Sequence, residues 1–202
     1  MFLKSTPGLI LASTSPYRRT LLQRLGLPFS CISPNIEEAR QANEAPLDLA
    51  RRLARAKAQR IASLHVEDWV IGSDQVAVLG ETDSDPQILG KPGNSSNCIR
   101  QLEESSDRTV VFLTAVAVLR HADRAAFEFV DTTRVRFRRL ERETIARYVA
   151  LESPLDCAGG FKSEGLGISL CESIESSDPT ALVGLPLIRL AAALRVAGFQ
   201  LP

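Results

Sequence analysis

Short apolar runs alternate along this chain with segments of helical periodicity, and that alternation restricts it to the α/β class. Residues 9–13 read as a buried strand. Ser15 and Pro16 then supply an N-cap and a first-turn proline, Tyr17, Leu21 and Leu25 follow at four-residue spacing, and Gly26 can end that helix. Residues 29–33 form a second short strand, and Pro46 opens a helix rich in Ala, Leu and Arg that runs to about residue 64. The stretch 69–79 is extended, as one long strand or as two with a break near Asp74. Residues 81–85 with Pro86 read as a solvated hairpin tip, and Asn94 caps a short helix carrying Cys98, Ile99 and Leu102. Strands follow at 109–119 and 127–137, then a helix at 141–151. A glycine-rich segment, 159–167, precedes a strand ending near Leu170, and Pro186 starts a last helix stopped by Gly198.

At 202 residues the chain suits a single domain over 1–202. Its 45% hydrophobic and 24% charged residues match a globular protein and argue against disorder or coiled coil. Lys+Arg 24 balance Asp+Glu 24, so no global charge steers it to nucleic acid or an anionic membrane. Arg134, Arg136 and Arg138 alternate with Val135 and Phe137, giving a basic face without interleaved aromatics, which reads as a solvent face. The cysteines at 31, 98, 157 and 171 form no C-x-x-C pair and only two histidines exist, which argues against zinc and for reduced cysteines acting as small hydrophobes. No stretch approaches the roughly 20 apolar residues of a membrane span, and the run 9–12 is too short for a signal-peptide core, so a cytoplasmic protein is expected.

The informative residues are charged ones where the pattern asks for apolar ones. Asp74 shares its parity with Val70, Gly72, Val76 and Val78, so a continuous strand carries it on a buried face. Such a carboxylate needs a cation, a metal or a raised pKa; a strand-end turn bonding backbone is the plainer alternative. Lys57 stands in a helical stripe with Ala50, Leu53, Ala54 and Ile61, where it either serves a site or lays its stem along the stripe and snorkels outward. Arg18 and Arg19 follow Ser13-Thr14-Ser15-Pro16 after the first strand. Hydroxyls, a helix N-terminus and guanidinium forks there can hold phosphate, unless Ser15 only caps and the arginines face solvent.

Gly160-Phe161-Lys162-Ser163-Glu164-Gly165 combines backbone flexibility with one cation and one carboxylate, and is a mobile loop or a site. It is neither a Walker A loop nor a dinucleotide fingerprint, and the chain has no H-E-x-x-H or G-x-S-x-G. What remains is a cation-rich site with carboxylates, suited to phosphoanhydride chemistry with a divalent metal.

Leu9-Ile10-Leu11-Ala12-Ser13-Thr14-Ser15-Pro16-Tyr17-Arg18-Arg19 resembles the opening motif of the Maf family of nucleoside triphosphate pyrophosphatases. The similarity continues through Leu53-Ala54-Arg55-Ala56-Lys57-Ala58, Ile71-Gly72-Ser73-Asp74-Gln75-Val76, Gly90-Lys91-Pro92, Phe161-Lys162-Ser163-Glu164-Gly165 and Val183-Gly184-Leu185-Pro186. The resemblance implies an elongated α/β fold, a central mixed sheet flanked by helices, with a deep cleft between two lobes. It implies hydrolysis of a nucleoside triphosphate to the monophosphate and pyrophosphate with a divalent cation (Mg2+, Mn2+ or Co2+), and a homodimer. By position, Asp74 is the implied proton acceptor and Lys57 and Lys91 the further catalytic groups. Ser13, Ser15, Arg18 and Lys162 are implied phosphate-binding residues, and Glu38 with Asp74 the metal ligands.

Tyr17, Gln75 and Glu164 resemble the YceF subfamily, which acts on 7-methyl-GTP; members acting on dTTP and UTP carry Arg, Thr and Gln there. Methylation at N7 makes guanine cationic, which favours an aromatic face, and a carboxylate can accept from its amide and amino edge. The competing expectations are a dTTP/UTP or broad nucleotide pyrophosphatase, and a nucleotide-binding regulator of cell division without turnover. The stretch 81–87 is a few residues longer than in close relatives.

Overall fold

The computed structural model describes residues 7–80 and 86–202, so the expected hairpin tip at 81–85 and most of the long 81–87 stretch lie outside the described residues. The architecture is α/β. Its seven-stranded mixed sheet comprises β1 (Leu9–Leu11), β2 (Ser30–Cys31), β3 (Trp69–Leu79), β4 (Gln87–Leu89), β5 (Thr109–Arg120), β6 (Ala125–Phe137) and β7 (Cys171–Glu175). The order is β2-β1-β3-β5-β6-β7, with β4 also paired to β3. The helices are α1 (Pro16–Gln23), α2 (Pro46–Ala62), α3 (Ser95–Ser105), α4 (Arg142–Glu152) and α5 (Leu187–Val196).

The chain divides into two compact units, the first containing the described residues up to 74 with 115–130 and 184–202, the second 75–114 and 131–183. In the first unit, β1 pairs in parallel with β2 and with β3. Its core gathers Ile10, Ala12, Ala58, Ile61, Ala62, Val70, Ala117 and Leu119. Ser15 caps α1 by accepting from the backbone N–H of Arg18, with Pro16 at the first helical position, as the sequence predicts. Gly72 decides how closely α2 can lie on β3. A Cβ at Gly72 would overlap the Ala54 carbonyl and stand 2.6 Å from the Ala58 nitrogen, so only glycine permits this approach.

In the second unit, β3 pairs antiparallel with β4, and β6 pairs antiparallel with β7. Leu79, Leu89, Leu102, Phe112, Val135, Phe137, Ile145 and Phe161 lead its core. Val135 and Phe137 point into it, while Arg136 pairs with Asp107 and Glu172 outside, so the basic face is a solvent face laced with ion pairs.

One open alternative is settled and two expectations change. The stretch 69–79 is one unbroken strand through Asp74. The segment 166–170 is a 3-10 helix and the strand starts at Cys171, because pairing with β6 begins only at Phe137↔Cys171. The cysteines are all free, but only Cys98 is fully buried, its thiol pushed up to about 11 by that burial, whereas Cys31 is exposed on the edge strand β2.

Candidate active site

Asp74 stands in the middle of β3 and is only 7% exposed. Lys57, on the buried stripe of α2, is 6% exposed and donates from Nζ to Asp74 Oδ1 at 2.6 Å. The same ammonium meets Glu38 Oε1 at 2.8 Å. Asp74 therefore bonds a cation rather than a strand-end backbone group, and Lys57 turns inward instead of snorkelling. The close approach granted by Gly72 puts the two within reach.

Burial pushes the Asp74 carboxyl above the usual aspartate range, and Glu38 adds to that; the Lys57 and Arg18 charges oppose the rise without cancelling it. Arg18 is itself pulled down by burial and held up by the Asp74 and Glu38 charges. Its guanidinium stays protonated at neutral pH, since arginine does not lose its proton in proteins. The result is a carboxylate more basic than an ordinary aspartate, with an ammonium and a guanidinium in its field.

Arg18 is half-buried and donates through Nε to the Gly184 carbonyl at 2.9 Å. The wholly buried Ser73 hydroxyl donates to that same oxygen, also at 2.9 Å. Gly184 has φ +114, a left-handed conformation that favours glycine. Ser73 and Gly184 thus fix where Arg18 points, a role the sequence did not assign; the only signal was their presence in the quoted motifs. Ser13 is buried and its Oγ accepts from the Ser15 N–H at 3.1 Å, which orders the turn into α1. Tyr17 is half-buried beside Arg18 on α1. Arg19 is exposed and lines a separate cavity of about 470 Å³ with Gln23, Phe29 and Cys31, among others, which holds none of the expected site residues.

The remaining expected residues belong to the second unit. Gln75 Nε2 lies within bonding distance of Thr114 Oγ1 (2.9 Å), Ala181 O (3.1 Å) and Leu182 O (3.0 Å). Two carbonyls around one amide nitrogen dictate which way that amide is turned. Lys91 is exposed just beyond β4. Lys162 donates from Nζ to Glu152 Oε1 at 2.7 Å, and Glu164 is exposed. His65 and His121 lie in turns outside all of this.

Among the described residues no group of three or more His, Cys, Asp and Glu side chains is placed to hold a metal by itself. Glu38 and Asp74 nevertheless converge on one ammonium, so two carboxylates share one locality. That donor set suits a small hard cation such as Mg2+, which typically takes one or two carboxylates and fills its shell with phosphate oxygens and water.

A family model described as Maf-like protein matches residues 8–197, and the chain belongs to the Maf family. Among its relatives, the 7-methyl-GTP pyrophosphatase of Alkalilimnicola ehrlichii is 51% identical over 195 residues, covering 96% of each chain. That of Pseudomonas aeruginosa is 50% identical over 196 residues, 97% of this chain and 100% of the relative. That of Xanthomonas oryzae pv. oryzae is 53% identical over 196 residues, with the same coverage.

Proposed function

We propose that this chain is a nucleoside triphosphate pyrophosphatase that hydrolyses 7-methyl-GTP to 7-methyl-GMP and pyrophosphate. The observation that carries the chemistry is Asp74: a carboxylate buried in mid-strand, made more basic by that burial and oriented by Lys57. Asp74 accepts a proton from water as the water oxygen attacks the α-phosphorus. The bond from that phosphorus to the α,β-bridging oxygen breaks, and pyrophosphate leaves. Arg18, Lys57 and Lys91 offset the charge that develops on the phosphates and the leaving group. Ser13, Ser15 and Lys162 take further phosphate contacts. Glu38 and Asp74 would hold a divalent cation (Mg2+, Mn2+ or Co2+), which when bound screens phosphate charge and polarises the phosphoryl group.

The base is read by Tyr17, Gln75 and Glu164. An aromatic ring at Tyr17 favours the cationic N7-methylated purine, where an arginine would repel it. Glu164 accepts from the guanine amide and amino edge. Strong support comes from relatives at about half identity over nearly the full chain that bear the name 7-methyl-GTP pyrophosphatase. Among the described residues no helix is long and apolar enough to cross a membrane. The reading is of a cytoplasmic enzyme of one domain that acts on a small nucleotide as a homodimer.

The test is pyrophosphate release, with magnesium, from 7-methyl-GTP, GTP, dTTP, UTP and CTP. Preferential turnover of 7-methyl-GTP is expected. Turnover led by dTTP or UTP would keep the hydrolytic chemistry and overturn the base assignment. Binding of nucleotide without any turnover would point instead to a regulator.

A further inference from the structure

The loop after the second unit's glycine pair carries Lys162 and Glu164, yet it is anchored by residues the activity does not use. Tyr148 and Glu152 stand four apart on α4, on one face of that helix. Tyr148 is buried; its hydroxyl donates to the Gly160 carbonyl at 3.2 Å and accepts from the Lys162 N–H at 3.0 Å. Glu152 Oε1 accepts from Lys162 Nζ at 2.7 Å, and Oε2 accepts from the Leu166 N–H at 2.7 Å. The helix therefore holds the loop at residues 160, 162 and 166.

The loop is shaped to fit these anchors. A Cβ at Gly165 would overlap the Glu152 carboxylate, so the chain passes directly over it. Gly160 has φ +63, and a Cβ there would come within 2.5 Å of Cys98 Sγ. Lys162 and Leu166 draw the Glu152 carboxyl below the usual glutamate range, so it is ionised at neutral pH. Glu164 lies between the anchored positions and is exposed; among the described residues it accepts a long bond from its neighbour Ser163 at 3.3 Å and feels the Lys162 charge. Its backbone position is set by the anchors on either side, at Lys162 and Leu166.

We propose that Glu152 and Tyr148 are positioning residues that set base preference by holding the 160–166 loop, and with it Glu164, in one conformation. This rests on the proposed reading of Glu164 as a base-reading group. Neither side chain takes part in proton transfer or holds phosphate. Lys162 rides on the same loop, so part of the affinity lost with Glu152 falls on every nucleotide alike; the part that runs through Glu164 lowers the preference, and proton transfer at Asp74 stays intact.

The experiment compares wild type with Glu152→Ala and, because that variant can fail to fold, with Tyr148→Phe, which removes only the hydroxyl. Kinetics on 7-methyl-GTP and UTP are read beside hydrogen exchange of the 160–166 amides. For Glu152→Ala we expect KM for 7-methyl-GTP to rise about ten-fold with kcat changed less than about two-fold, as for a lost charge-assisted anchor. The preference over UTP should fall by less than KM rises, since the Lys162 phosphate contact is shared by both nucleotides, the acid limb of the pH–rate profile should stay where it is, and the loop amides should exchange faster. Tyr148→Phe should move the same quantities less. An unchanged preference in a folded variant overturns the proposal, as does a kcat loss equal for all substrates. If wild type turns over no nucleotide, the pyrophosphatase reading fails; unchanged amide exchange in both variants would then separately overturn the bracing.

Discussion

Two lysine–carboxylate pairs of nearly equal length sit in this protein, and their carboxyl groups shift in opposite directions. Lys57 is 2.6 Å from Asp74, and Lys162 is 2.7 Å from Glu152. Asp74 is held above the aspartate range and Glu152 below the glutamate range. Contact with solvent does not separate them, since the carboxylate side chains are 10% and 12% exposed. Depth does. Asp74 lies inside a strand in which every residue but the half-buried Gln75 is buried, so protein surrounds it well beyond its first contacts. Glu152 ends α4, beside the exposed Leu151 and Leu166, and gains a backbone N–H as well as its lysine. Where burial outweighs the partner, the carboxylate becomes more basic, as the proposed role of Asp74 requires; where the partner outweighs burial, it stays ionised, as the proposed brace at Glu152 requires.

The most severe way to break that comparison is Asp74→Asn. It should lower kcat about a thousand-fold, the scale of a lost general base, while nucleotide affinity by calorimetry changes little. Lys57→Met comes next. Turnover at neutral pH should fall about a hundred-fold with the loss of an electrostatic contact. With the opposing cation gone, Asp74 rises further, so the acid limb of kcat/KM moves to higher pH.

Gly72→Ala attacks the packing that brings that pair together. Forcing α2 off β3 should cost about 3 kcal/mol in chemical denaturation, with a loss of turnover from misplacing Lys57. The smallest effect is the sharpest test. Because its folded pKa is raised, Asp74 makes stability fall as pH climbs from the ordinary aspartate value, about 3.9, through the raised one. Asp74→Asn removes that fall. Glu152, with a depressed folded pKa, adds stability above about 4.3 that is lost as pH falls through its folded value. Glu152→Gln should therefore melt lower than wild type at pH 7, with the difference gone in strong acid.

The α1 cap, the α2 stripe and the inward parity of Val135 and Phe137 were legible because each is a local regularity of period or capping. Asp74 and Lys57 stood out for the converse reason, as charges in positions where the period asks for apolar groups. The start of β7 was not legible. Strand pairing with β6 set it, and residues 166–170 carry no local signal against an extended chain.

The sequence by itself determined the α/β alternation, the family motifs and the two misplaced charges, since composition, period and residue order are properties of the chain alone. Only the tertiary structure decided that those two charges face each other, that Ser73 and Gly184 aim Arg18, and that α4 carries the anchors of the 160–166 loop. Those contacts join residues far apart in the chain: 166 positions separate Arg18 from Gly184. Whether a charge in an apolar stripe becomes a snorkelling surface group or a buried partner depends on how closely a second element approaches, and here Gly72 permits the approach.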